Sequence, residues 1–111
     1  MCGIVGFITK DVDAENLREN LSEALSLINH RGPDDRGEYY YNNVGLGHVR
    51  LSIIDLSSAG HQPMVDGGGN VWITYNGEIY NYKELKEELV QLGHVFRTDT
   101  DTEVILESYK R

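Results

Sequence analysis

A single cysteine, Cys2, stands in a chain of 111 residues. One thiol cannot form an internal disulfide, which fits a reducing cytoplasm. No apolar stretch approaches the roughly 20 residues that a membrane-spanning helix needs, and the charged, glycine-interrupted N-terminus does not have the pattern of a signal peptide. Basic residues are scarce as well: 10 Lys and Arg face 18 Asp and Glu, for a net charge of -8 and a pI near 4.8. Phosphate recognition depends on clustered Lys and Arg, so this balance argues against a nucleic-acid or anionic-membrane partner, and the surplus acid serves solubility. His30, His48, His61 and His94 are scattered and lack the short paired spacings of a zinc site, so no metal is assigned and each is read as structural. No internal repeat, low-complexity segment or Gly-rich phosphate loop occurs. What is present is a length near the commonest for one domain and a hydrophobic content of 40%, enough for an ordinary core in one compact unit or a piece of one.

Hydrophobic periodicity places the elements. Cys2 to Ile8 is short, apolar and β-branched and reads as a buried strand. After Asp13, a good N-cap, Leu17, Leu21, Ala24, Leu25 and Ile28 form one stripe of a helix ending near Asn29. Gly37 to Tyr41 and Leu46 to Ile54 read as strands joined through a polar turn at Asn42-Asn43. Gly67-Gly68-Gly69-Asn70 is a loop before a strand from Val71 to Tyr75. A second helix starts at Asn81, with Glu84 completing the pattern of a capping box, carries Leu85, Leu89 and Leu92, and stops at Gly93. A third helical start runs from Thr102 to Arg111, with Val104, Ile105 and Tyr109 on one face, as in a helix cut short. Helices packed against mainly antiparallel sheet, an α+β arrangement, is the expected fold class.

Chemistry concentrates at Cys2 and in four polar islands, each with a plain alternative. Removal of Met1 would put a thiol and a free amine on one residue. A thiol reacts as thiolate, with a reference pKa of about 8.5, and an α-amine titrates at about 7.7–8.0, so the amine can serve as the base. A lone cysteine near a terminus is otherwise a small buried apolar residue. His30-Arg31-Gly32-Pro33-Asp34-Asp35-Arg36-Gly37 is also what a loop after a helix looks like. Arg50, within a β-branched strand, could sit at an exposed edge or in a salt bridge. Asn76-Gly77 between apolar runs signals a hairpin turn. The segment from Thr98 to Glu103 could be a helix cap alone.

Together these words resemble one family, the glutamine amidotransferase domain of asparagine synthetases, of the class II or N-terminal-nucleophile hydrolase type. The resemblance is carried by Met1-Cys2-Gly3-Ile4, His30-Arg31-Gly32-Pro33-Asp34, Arg50-Leu51-Ser52-Ile53-Ile54-Asp55, Gly60-His61-Gln62-Pro63-Met64, Tyr75-Asn76-Gly77-Glu78-Ile79-Tyr80-Asn81 and Asp101-Thr102-Glu103, in the family's order from end to end. His61-Gln62-Pro63-Met64 and Glu78-Ile79-Tyr80-Asn81 favour the asparagine synthetase branch over amidotransferases that make glucosamine phosphate or purine precursors.

The resemblance implies antiparallel sheets layered with helices (αββα), and glutamine as the substrate. It implies that Cys2 attacks the side-chain amide of glutamine and that its α-amine carries the proton. The Asn76 side chain and the Gly77 backbone N–H would meet the oxyanion. Arg50 would pair with the substrate carboxylate, Glu78 and Asp101 would hold its ammonium, and the backbone of Leu51, Ser52, Ile53 and Ile54 would add bonds. Arg31, Asp34 and Asp35 would brace the site.

The family's glutaminase domain extends further than these residues and is followed by a synthetase domain that uses ATP and Mg. Residues 1–111 are therefore expected to be its N-terminal part, incomplete at the C-terminus, needing no cofactor itself and supplying ammonia to that downstream domain. Exposed edges would invite association with another chain, including a second copy. A retained Met1 would turn the base amine into an amide and switch the chemistry off. Two alternatives stay open: the ammonia goes to another acceptor such as a sugar carboxylate, or the chain binds glutamine without turning it over.

Overall fold

The structure, a computed structural model, describes residues 2–10, 14–51 and 58–111. Its elements are β1 (Gly3–Ile8), α1 (Ala14–Leu27), β2 (Asp35–Tyr41), β3 (Val44–Arg50), β4 (Met64–Val65), β5 (Trp72–Ile73), α2 (Tyr82–Gln91) and α3 (Asp101–Lys110), with short 3-10 turns at Asn29–Arg31 and Ser58–Gly60. β1, β3 and β2 form an antiparallel sheet in that spatial order, and β4 pairs antiparallel with β5. This is the expected α+β arrangement.

Alternation along the strands decides what each face of the larger sheet meets. Val49, Val5 and Phe7 turn to α1, where Leu21 and Leu25 are fully buried against them. Each such leucine contributes on the order of 2 kcal/mol by leaving water. On the opposite face Tyr39 stacks on Trp72 of β5 with ring centroids 3.7 Å apart, and the Thr74 hydroxyl donates to the Gly47 carbonyl at 3.1 Å. Helix α3 packs against β4 and β5, and α2 against α3. On β1, an edge strand, Ile4 and Ile8 remain 50% and 82% exposed.

Helix ends show where local rules held and where they did not. Leu92 caps α2 and Gly93 follows with φ +97°, the left-handed conformation that glycine adopts without strain. The expected capping box at Asn81 does not form: its φ and ψ are -99° and 26°, outside the extended region a side-chain cap requires, and its side chain makes no cap bond. The cap forms at α3 instead. Thr100 is extended and its Oγ1 accepts from the Glu103 N–H at 3.3 Å, while the buried Glu103 carboxylate accepts from the N–H groups of Arg97 and Thr98 at 2.9 and 2.7 Å. The Thr100 N–H in turn donates to the Thr98 Oγ1 at 3.2 Å, so these bonds together fix the chain's entry into the helix.

The smaller sheet is tied to the end of α3 by Asp66, which is 5% exposed. Its carboxylate accepts from the N–H groups of Val71, Asn70 and Gly68 at 2.9, 2.8 and 3.3 Å, and Lys110 lies 3.3 Å away. The Val71 bond leads in lowering its pKa from 3.8 to about 2. A carboxyl depressed in the folded state stabilises above its unfolded pKa and loses that stabilisation as pH falls through the folded value. Asp66→Asn should therefore lower the melting midpoint by several degrees at neutral pH. In thermal melts that gap should narrow as pH falls from about 4 to about 2.

Two expected strands differ from their patterns. The strand read from Leu46 to Ile54 starts earlier, at Val44, and Leu51 is already outside it, with Ser52, Ile53 and Ile54 beyond the described residues; the strand read from Val71 to Tyr75 holds its ladder only at Trp72 and Ile73. Asn76-Gly77 is not a hairpin turn either, since no strand follows it and neither residue takes positive φ. The reason is competition for the backbone: the N–H and C=O of Tyr75 bond to the side chains of Gln62 and His48 rather than to a partner strand, and the Ile79 N–H bonds to Asp101.

Candidate active site

Cys2 precedes β1 and is half-buried. Its Sγ accepts the Leu51 N–H at 3.3 Å, and its carbonyl accepts from Arg31 Nε at 3.2 Å. Arg31 thus reaches from the loop after α1 to hold the backbone that carries the thiol. The same loop runs beside the end of β3, where Pro33 bridges Arg50 and the Asp34 N–H donates to the Arg50 carbonyl at 3.0 Å. Asp35 accepts from the Arg36 N–H at 2.9 Å and faces His61 Nδ1 at 2.6 Å.

Arg50 is not on an edge. It ends the central strand β3, is only 9% exposed, and has Gly60 packed on its guanidinium, where a Cβ would lie 2.3 Å from Nη2. A side chain at residue 60 would displace the guanidinium from this position.

A cavity of about 600 Å³ brings the separate words together. Cys2, Arg50 and Leu51 line it from the larger sheet, Asn76, Gly77 and Glu78 from the segment after β5, and Asp101 from the first turn of α3. This size suits a small-molecule ligand. Ser52, Ile53 and Ile54, and Met1, lie outside the described residues. Asp101 is placed by the Thr100 cap, and its Oδ2 accepts the Ile79 N–H at 3.0 Å. One carboxylate therefore lines the cavity and holds the Gly77–Ile79 backbone.

Gln62, His48 and Tyr75 are among the cavity-lining residues to which the sequence assigns no site role. Gln62 belongs to a word that carried the resemblance, but a polar residue in a loop has no periodic signal. His48 is 1% exposed and its Nε2 lies 3.1 Å from the Tyr75 carbonyl. A carbonyl only accepts, so Nε2 carries the proton. Burial pushes the His48 pKa down, which keeps the ring neutral. Burial first, then the negative charges of Asp101 and Glu78, push the Tyr75 phenol up, so it stays protonated. Its Oη lies 2.6 Å from where a Cβ on Gly77 would sit.

The chain belongs to the glutamine amidotransferase domain family, whose model matches residues 1–111. The form it takes is that of asparagine-synthetase-like proteins. It is 46% identical over 112 residues, 99% of this chain, to asparagine synthetase (glutamine-hydrolysing) 1 of Bacillus subtilis. Identity to the asparagine synthetase (glutamine-hydrolysing) of Sandersonia aurantiaca is 40% over 99% of the chain, and to the amidase chry2 of Gibberella zeae 44% over 99%. The chain spans 18%, 20% and 18% of these relatives' lengths. Among the described residues no helix is long and apolar enough to cross a membrane.

Proposed function

We propose that this chain hydrolyses glutamine to glutamate and ammonia with Cys2 as an N-terminal nucleophile, and that its fold is of the N-terminal-nucleophile hydrolase class. The observation that carries the reading is the single cavity into which Cys2, Arg50, Asn76, Gly77, Glu78 and Asp101 converge from distant parts of the chain. Once Met1 is removed, the Cys2 α-amine takes the thiol proton as Sγ attacks the amide carbon. The Asn76 amide and the Gly77 N–H receive the oxyanion, loss of one such donor typically costing about 3 kcal/mol. The amine returns the proton to departing ammonia, leaving a glutamyl thioester that water hydrolyses to glutamate.

Glutamine presents one charge of each sign at its amino-acid end. A guanidinium fork at Arg50 matches the carboxylate with two parallel bonds, and Glu78 and Asp101 complement the ammonium. Leu51, with Ser52, Ile53 and Ile54, supplies backbone bonds. Every group the hydrolysis uses comes from the chain, so it needs no metal or cofactor.

The ammonia passes to a downstream ATP- and Mg-dependent synthetase domain, which forms asparagine from aspartate. One relative is named an amidase rather than an asparagine synthetase; a second reading keeps the same hydrolysis and sends the ammonia to another acceptor such as a sugar carboxylate. The test is ammonia release from glutamine by protein whose mass shows Met1 removed. Arg50→Lys should raise KM tenfold or more, because a point charge replaces the fork. Glutamine binding without ammonia release from that protein would leave a binding module instead.

A further inference from the structure

We propose that Gln62 is a positioning residue that sets the oxyanion segment and the ammonium-binding helix end in register through one buried side-chain amide. The proposal rests on the glutaminase reading of the cavity. Gln62 is 8% exposed and does not belong to the groups assigned to substrate. Its Oε1 accepts the Tyr75 N–H at 2.6 Å, and its Nε2 donates to Thr102 Oγ1 at 3.2 Å. Tyr75 precedes the Asn76-Gly77 pair; Thr102 follows Asp101 in the first turn of α3 and is 4% exposed. Both ends of one amide are therefore used, each on a different half of the site.

Ladder bonds would normally fix the backbone at Tyr75, and none do, because β5 stops at Ile73. Gln62 supplies the missing acceptor, and His48 supplies the donor to the Tyr75 carbonyl at 3.1 Å. The residue entering Asn76 is thereby clamped at its N–H and at its C=O. Oxyanion donors act by being held where charge develops, so small displacements of that segment reduce turnover more than they reduce substrate binding. A residue that merely filled space would tolerate a change of polarity at equal volume.

Steady-state glutamine hydrolysis by wild type, Gln62→Glu and Gln62→Leu tests this. The carboxylate of Gln62→Glu still accepts from Tyr75, and the Thr102 hydroxyl can turn to donate to it; Gln62→Leu keeps bulk and removes both bonds. We expect Gln62→Leu to lose about tenfold or more in kcat, with a smaller change in KM, and Gln62→Glu to recover most of it. Thr102→Val cuts only the link to α3 and should raise KM more than it lowers kcat, which covers the case in which Gln62→Leu does not fold. Equal kcat and KM in Gln62→Leu and wild type, or an unaltered KM in Thr102→Val, overturns the proposal. A Met1-free wild type without activity removes the glutaminase reading, whereas an active wild type beside an equally active Gln62→Leu removes only the positioning role.

Discussion

Cys2→Ala should reduce ammonia release from glutamine to background, a loss on the order of 10⁴-fold or more, since no other group on the chain can form the thioester. Among the described residues Cys2 is the one thiol. The fold should hardly notice: the residue lies before β1, is half-buried, and gives up only weak sulfur bonds to the Leu51 N–H and carbonyl. Melting midpoints should therefore agree within a few degrees. Mass spectrometry provides a readout independent of turnover. A diazo-ketone analogue of glutamine should add once to a Met1-free chain as the sulfur displaces dinitrogen. Excess glutamine should block that addition, and Cys2→Ala should show none. Adduct on Cys2→Ala, or ammonia release at the wild-type rate, would assign the chemistry elsewhere. A chain that keeps Met1 should be inert to glutamine, because its Cys2 nitrogen is an amide without a basic lone pair.

The parts legible in the sequence were those governed by local rules. Leu17, Leu21 and Leu25 recur at intervals of four and are all buried on one side of α1, so periodicity sufficed. Asn42 turns between β2 and β3 with φ 52°, a conformation asparagine tolerates, and Gly93 ends α2 for a related reason. Asn76-Gly77 carries the same kind of signal and misleads. Its neighbours' backbone groups are taken by Gln62, His48 and Asp101, partners 13, 27 and 22 residues away in sequence. Long-range side-chain bonds have no period, so local pattern could not separate a turn of a hairpin from a segment held open beside a cavity. The site residues were named from the resemblance and not from spacing. What geometry adds is that β3, the segment after β5 and the cap of α3 meet at one cavity, and that Arg50 is central and buried rather than on an edge.

Gly37→Ala should be strongly destabilising. Gly37 lies in β2, on the face that meets the loop before β4, and a Cβ there would sit 1.8 Å from the Gln62 carbonyl oxygen and 2.8 Å from its carbon. These are backbone atoms, which cannot rotate away as a flexible side chain can. Relief requires β2 and the residue 60–63 segment to separate, and that movement pulls against the Tyr39–Trp72 stack and the two bonds of the Gln62 side chain. Overpacking of this severity costs about 3 kcal/mol or more, so the melting midpoint should fall by roughly 10 °C or more. Gly67→Ala provides the comparison, because a Cβ at Gly67 meets nothing within 4 Å, and its melting midpoint should stay within a few degrees of wild type. Equal melting midpoints for the two variants would mean that β2 and the Gln62 backbone are not in contact. If Gly37→Ala remains folded at low temperature, its glutamine turnover should fall further than its helix content, because the displaced backbone is the one that holds Gln62 against the Tyr75 segment.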